Sequence, residues 1–156
     1  MVIGGSQNGQ TSGKTFYFTF GEESWTEGPQ LKNKRSDHSC GKIRRDKQRQ
    51  EMSIIVAGGW DKSSIFSSVE ILDHGSNEWK TGLALPIAIA ESQMIEDSNG
   101  GVLLVGGVIS SDVNLDTLYQ LPHGGQDAAW NKMENKLKIR RNRHTAFLVP
   151  DNAVDC

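Results

Sequence analysis

The stretch IIVAGGWDKSSIFSSVEILDHGSNEW, residues 54–79, decides the fold, because each of its parts recurs before and after it. It opens with an apolar run, Ile54-Ile55-Val56-Ala57, that stops at Gly58-Gly59. A polar loop, a second apolar run at 69–72 and a turn-like segment at 73–77 then lead to Trp79. The same order surrounds Gly4-Gly5 with Trp25, and Gly106-Gly107 with Trp130. From Gly4 to Gly58 is 54 residues (58 − 4), and from Gly58 to Gly106 is 48 (106 − 58). From Trp25 to Trp79 is 54 (79 − 25), and from Trp79 to Trp130 is 51 (130 − 79). Two independent markers share one period of about 50 residues, so this is a repeat protein.

Composition agrees with many short strands and turns. The chain has 156 residues, 17 of them Gly and only 4 Pro, with 36% hydrophobic and 23% charged residues. A lean, Gly-rich chain with short apolar runs suits an all-β protein. The net charge of −2 gives no overall attraction to nucleic acid or membrane. The longest apolar stretch, 83–90, is broken by Pro86 and is far shorter than the ~18 residues of a membrane span. Two cysteines, Cys40 and Cys156, are too few for a disulfide framework. With no basic, apolar leader at Met1, a cytoplasmic location is the expectation, although the abrupt start suits a chain missing its N-terminal part.

Taken in order, residues 2–5 read as the end of a strand and 15–20, TFYFTF, as the most β-prone segment. A short strand follows at Trp25. Residues 42–50 hold five basic residues and one acid, the pattern of a solvated loop. Strands are expected at 52–57, 67–72, 78–82 and 88–95, and Asn99-Gly100 predicts a hairpin into 101–105. The last unit gives strands at 102–107, 118–121, around Trp130 and at 143–149. The units divide as 1–51, 52–100 and 101–150, with a polar tail at 151–156. Four strands in each make twelve, the sequence form of β-propeller blades.

The residues within these units resemble kelch repeats. The first unit shows Gly4-Gly5, Trp25, Gly28-Pro29, Leu31, Arg35 and His38. The second shows Gly58-Gly59, Leu72-Asp73, Asn77, Trp79, Gly82 and Leu85-Pro86, and the third Tyr119, Trp130, Met133, Leu137, Arg141 and His144. Counted from Leu85, the Arg and His positions hold Ile89 and Ser92 instead. The resemblance implies an all-β fold of kelch type: a partial β-propeller of about three four-stranded antiparallel blades. Rings of this kind close with about six blades, within a general range of about 4–8. Two bare inter-blade faces are therefore expected, covered by further blades of a longer protein or by self-association that completes the ring. A fragment of a larger propeller is the favoured expectation. The diglycines and tryptophans are architecture on this reading: Gly admits φ > 0 and close approach, and Trp buries a large area against the next blade.

The resemblance implies a non-catalytic module for binding another protein, in the manner of adaptors and scaffolds. The alternative is a kelch-type propeller enzyme or small-ligand-binding protein. No catalytic residue, metal site or cofactor is expected: His38, His74, His123 and His144 lack metal-ligand spacing, and there is no Gly-x-Ser-x-Gly elbow, phosphate loop or dinucleotide fingerprint. Cys40 lies two residues from His38, so the two share one strand face and burial is expected rather than nucleophilic chemistry. The resemblance places partner contacts on loops at 6–14, 60–66 and 108–116, with 32–35 and 134–141. Trp60 and Asp61, with Arg140 and Arg141, are the candidate partner-binding residues. Trp60 is an aromatic outside the repeat pattern, suited to anchoring a partner or to local packing. If the basic clusters at 42–49 and 132–143 meet on one face, the partner is acidic. Nucleic acid is disfavoured, because no aromatic residue interleaves the basic ones.

Overall fold

The computed structural model describes residues 1–44, 51–123 and 128–149, and every regular element among them is a β-strand. In chain order, β1 (Val2–Ile3) is followed by a small hairpin, β2 (Ser6–Gln7) with β3 (Gln10–Thr11). The chain then forms β4 (Thr15–Phe18) and β5 (Trp25–Glu27), and β1, β4 and β5 make the first antiparallel sheet. The second sheet is β6 (Ser39–Ile43), β7 (Ser53–Ala57), β8 (Val69–Leu72) and β9 (Lys80–Thr81), hydrogen-bonded in that order. The third is β10 (Gln93–Glu96), β11 (Val102–Val105), β14 (Thr117–Leu121) and β15 (Asn131–Lys136). A second small hairpin, β12 (Val108–Ser110) with β13 (Val113–Asn114), sits between β11 and β14. Each main sheet is one blade.

The strands match their sequences. β7, SIIVA, lies between two neighbours and is packed on both faces, so its apolar run is unbroken. β14, TLYQL, alternates buried and half-buried residues as a strand with one packed face should. The hairpin expected at Asn99-Gly100 forms: Gly100 has φ +88°, and the Asp97 carboxylate accepts from the N–H groups of Asn99 (2.8 Å) and Gly101 (2.9 Å).

Three details depart from the sequence reading. The strand expected at 88–95 is confined to β10, because 88–92 crosses from one sheet to the next and Glu91 has φ +57°. The strand expected at 143–149 does not form. Its counterparts β6 and β10 each pair with a following diglycine strand, and no described strand stands in that place for 143–149. The main sheets therefore hold three, four and four strands among the described residues, rather than twelve in all. The sheets are also offset from the sequence units, because the last strand of one unit is the innermost strand of the next sheet. Residues 45–50, most of the loop 123–128 and the tail 151–156 lie outside the described residues, as does Cys156.

The joints between sheets rest on the repeat positions. Trp79 is fully buried beside Leu31, Val56 and Leu72, and its Nε1–H donates to the Pro29 carbonyl (2.8 Å). Trp130 Nε1–H donates likewise to Leu83 (3.0 Å). The Arg35 side chain, wholly inaccessible, leaves the first sheet and enters the second. Its Nη1 donates to Gly58 O (2.8 Å) and Ser68 O (3.0 Å), and its Nη2 to Ser68 Oγ (2.9 Å) and Glu70 Oε1 (2.8 Å). Glu70 also accepts from Lys32 N (2.7 Å) and Asn33 N (3.0 Å), so the buried pair is hydrogen-bonded as well as charge-balanced.

Candidate partner-binding cleft

The site is built by the crossovers that follow Leu31, Leu85 and Leu137. Six residues after each Leu stands a non-Gly residue with positive φ: Asp37 (52°), Glu91 (57°) and Arg143 (47°). Such backbone is costly for these residue types and persists where its surroundings enforce it. Here the enforcement is a chain of bonds around the inner rim. Glu91 N donates to Asp37 O (2.8 Å), and Arg143 N to Glu91 O (3.0 Å). Beside them Ser36 pairs with Trp60 and Ala90 with Val108, each through two backbone hydrogen bonds across a joint.

These segments frame a cleft of about 430 Å³ at the rim between the second and third sheets. Trp60, Ile65, Ala90 and Val108 supply its apolar wall, and Glu91, Ser110, Ser111, Asn142 and Arg143 its polar groups. Trp60 is 40% exposed, and its Nε1–H donates to the Asp37 carboxylate at 2.5 Å. Glu91 accepts from Asn142 Nδ2 (2.6 Å) and pairs with Arg143 Nη2 (2.5 Å). A concave, mainly apolar site with a few fixed polar groups is the form that ligand sites take.

Of the four residues singled out in the sequence, Trp60 lines this cleft. Asp61 turns inward on its own loop, accepting from Ser63 N (2.8 Å), Ser63 Oγ (2.6 Å) and Ser64 N (3.0 Å). The Ser63 hydroxyl, first among these donors, holds its carboxyl below the ordinary range. Arg140 is an exposed partner of Asp116 (3.6 Å). Arg141 stands at the repeat position of Arg35, on the open face of the third sheet, outside the residues that line the cleft. Glu91, Asn142 and Arg143 were not singled out. Counting six from each Leu would have marked Glu91 and Arg143.

Of the basic cluster at 42–49, only Lys42 and Arg44 are among the described residues. Lys42 lies on the innermost strand of the second sheet and Arg44 just beyond it, where Arg44 N donates to Gly100 O (2.8 Å). Lys132 and Lys136 lie on β15, the outer edge of the third sheet, three strand spacings or about 14 Å from its inner edge.

The remaining candidate groups are held quiet. Burial, then the neighbouring Arg35 charge, lowers the His38 pKa to about 4. His144 is lowered in the same direction, first by burial and then by Arg141. Cys40 is exposed on the innermost strand, against the expectation of burial, because β6 has no described strand on its inner side. Desolvation by its neighbours nevertheless raises its thiol pKa, which opposes thiolate formation. No group of three or more His, Cys, Asp or Glu residues suited to a metal ion occurs among the described residues.

The four-stranded antiparallel sheets, their diglycine turns and their cross-joint tryptophans define a kelch-type β-propeller arc. The comparisons with known proteins agree. The Kelch motif is matched at residues 53–82, the heart of the second sheet. A solved structure titled "Structure of YjhT" superimposes with a TM-score of 0.70 at 12% identity, covering 90% of this chain and 49% of that one. At this identity the likeness shows the fold alone, and the chain spans about half the length of that structure. No curated protein matches.

Proposed function

We propose that this chain is a non-catalytic recognition arc of a kelch-type propeller, and that the cleft at Trp60 holds a segment of another protein. The observation that supports this reading most is the construction of the cleft. Its walls come from consecutive crossovers locked to one another through the backbone, so an aromatic anchor and several polar groups are presented without prior ordering. The cleft carries both signs of charge, Glu91 beside Arg143, so apolar contact and hydrogen bonding would select the segment more than net charge.

A peptide library displayed on phage and selected on the purified chain tests this. Enriched peptides should lose about thirtyfold or more in affinity against Trp60→Ala, the scale of a binding hot spot. The variant's melting temperature should fall by no more than a few degrees, because the Ser36 bridge uses only the Trp60 backbone and the indole bond to Asp37 that is lost is exposed to solvent. Peptides that bind Trp60→Ala equally well, or the absence of any enriched peptide, would refute the site.

The cleft volume supports a second reading, a small-ligand or enzyme site, since about 300–1,000 Å³ suits small molecules. A metabolite that raises the melting temperature in the unaltered chain but not in Arg143→Ala would favour it.

A further inference from the structure

The dipeptide Asn-Gly occurs at Asn8-Gly9 and at Asn99-Gly100, and each pair lies in a hairpin turn. Asn is a thermolabile residue type, and a following Gly favours its loss, because a residue without Cβ lets its nitrogen approach the Asn side chain. That attack needs a backbone N–H free of hydrogen bonds, access for hydroxide to remove its proton, and a turn loose enough to bring the nitrogen to Cγ. The two pairs differ on all three counts.

At Asn99-Gly100 the turn is closed. Gly100 is buried, its N–H donates to Asp97 O (3.1 Å), and a Cβ placed on it would lie 3.0 Å from Arg44 Cβ. Asp97 Oδ1 accepts from Asn99 N (2.8 Å) and Gly101 N (2.9 Å), so the backbone is fixed on both sides of the Gly100 nitrogen. At Asn8-Gly9 the turn is open. The pair is the whole connection between β2 and β3, with φ of 51° and 71°, the tight turn that Asn-Gly favours. Both residues are exposed, and a Cβ on Gly9 would meet nothing within 4 Å. Neither the Gly9 N–H nor the Asn8 side chain has a hydrogen-bond partner among the described residues.

We propose that Asn8 is a deamidation site of this chain and that Asn99 is protected by its turn. The deprotonated Gly9 nitrogen bonds to Asn8 Cγ as the Cγ–Nδ2 bond breaks, and Nδ2 takes up protons and leaves as ammonia. Water then opens the cyclic imide. Breaking the bond from Gly9 N to Cγ gives aspartate, and breaking its bond to the Asn8 main-chain carbonyl carbon gives isoaspartate. The sum is amide plus water to carboxylate plus ammonium, with no change of oxidation state. Either product adds a negative charge to the rim loop at 6–14, and isoaspartate also lengthens the turn by one backbone carbon. The bonds below the hairpin, Ser12 N to Gly5 O (2.8 Å) and Gly5 N to Arg35 O (2.9 Å), involve neither residue, so the change falls on the rim and leaves the joint intact.

The test incubates the purified chain at mildly alkaline pH and maps its peptides by mass spectrometry, with enzymatic methylation of isoaspartate as a second readout. A buried, hydrogen-bonded N–H reacts only from an opened turn, so Asn8 should convert about tenfold or more faster than Asn99 in the folded chain. In urea the two rates should converge. Asp97→Ala, which removes the carboxylate that fixes the second turn, should raise the rate at Asn99 severalfold and leave Asn8 unchanged. Equal rates in the folded chain, or no conversion at Asn8, overturn the proposal. A difference that persists in urea traces to the flanking residues and overturns the protection, as does an unmoved Asn99 rate in a folded Asp97→Ala variant.

Discussion

The indole Nε1 of Trp79 donates to the backbone carbonyl of Pro29 at 2.8 Å, across the joint between the first and second sheets. Trp130 repeats the contact with Leu83 at the next joint. Trp25, at the same repeat position in the first sheet, is 54% exposed, and its ring packs against Phe18 of its own sheet. One residue type thus holds one place in three sheets, and its burial depends on whether a preceding sheet is there to cover it.

Truncation should separate these tryptophans. Trp79→Ala should cost about 3–5 kcal/mol in denaturant unfolding, as expected for a buried aromatic whose space cannot refill. Trp25→Ala should cost well under half of that. Trp79→Phe should fall between them, since it keeps most of the burial and removes one of the two hydrogen bonds to the Pro29 carbonyl, which still accepts from Thr15 Oγ1 (2.9 Å), a loss of about 0.5–1.5 kcal/mol. Equal losses for Trp79→Ala and Trp25→Ala would contradict the joint model.

The diglycines make the same point through backbone geometry. Gly58 has φ +66°, and a Cβ there would lie 2.1 Å from the Ile89 carbonyl oxygen. Gly5 has φ +97°, but a Cβ there would meet nothing within 4 Å. Gly5→Ala should therefore cost only the backbone strain, about 1–3 kcal/mol. Gly58→Ala adds a collision that must move a backbone, so it should be markedly worse or fail to fold. Thermal melts of the two purified variants decide this.

The repeat was legible because diglycine and Trp are forced by local geometry and packing, and both leave a mark at fixed spacing. The strand at 143–149 was misread for the opposite reason: its apolar residues resemble those of β6 and β10, but a strand also needs a partner, which lies outside its own sequence. The cleft was only partly legible. Trp60 stood out as an aromatic away from the repeat pattern, whereas Glu91 and Arg143 adopt positive φ without the Gly or Asn that usually advertises it. Arg141 attracted notice as charge, yet its counterpart Arg35 shows what such an arginine does once a sheet covers it.

The two complete joints differ, which allows a transplant: at the second, Pro86, Ile89 and Tyr119 stand where the first has Lys32, Arg35 and Glu70. Arg35→Met alone should cost about 3–5 kcal/mol, because it leaves the Glu70 carboxylate buried without its cation. Burial is the larger influence on the Arg35 pKa and lowers it, and Glu70 opposes that fall, so the pair depends on mutual compensation. The combined variant Lys32→Pro, Arg35→Ile, Glu70→Tyr copies the second joint into the first. It should recover more than half of the stability lost in the single variant. A triple variant no more stable than Arg35→Met would show that the two joints are not interchangeable.

His38 predicts how the first joint responds to acid. Its ring is packed beside Gly4 and its Cα and Cβ beside Gly59, with Arg35 and Asp37 as its charged neighbours and the backbone of Ile3 and Arg35 in hydrogen-bond reach. Burial and then Arg35 lower its pKa to about 4, against an ordinary 6.5, while Asp37 and the backbone contacts only partly oppose the fall. The fold therefore favours the neutral ring. Above pH 6.5 the ring is neutral in both states, and its contribution to stability is fully present. As pH falls from 6.5 toward about 4, the unfolded chain takes up a proton that the fold does not, and stability declines. The slope from this residue is at most about 1.4 kcal/mol per pH unit, and residual solvent contact at the ring reduces it. His38→Gln should flatten this part of the profile while leaving the smaller share from His144, which is lowered in the same direction. Urea unfolding of both chains at several values between pH 4 and 7 measures the difference. Parallel profiles would place His38 in contact with solvent and remove it from the joint.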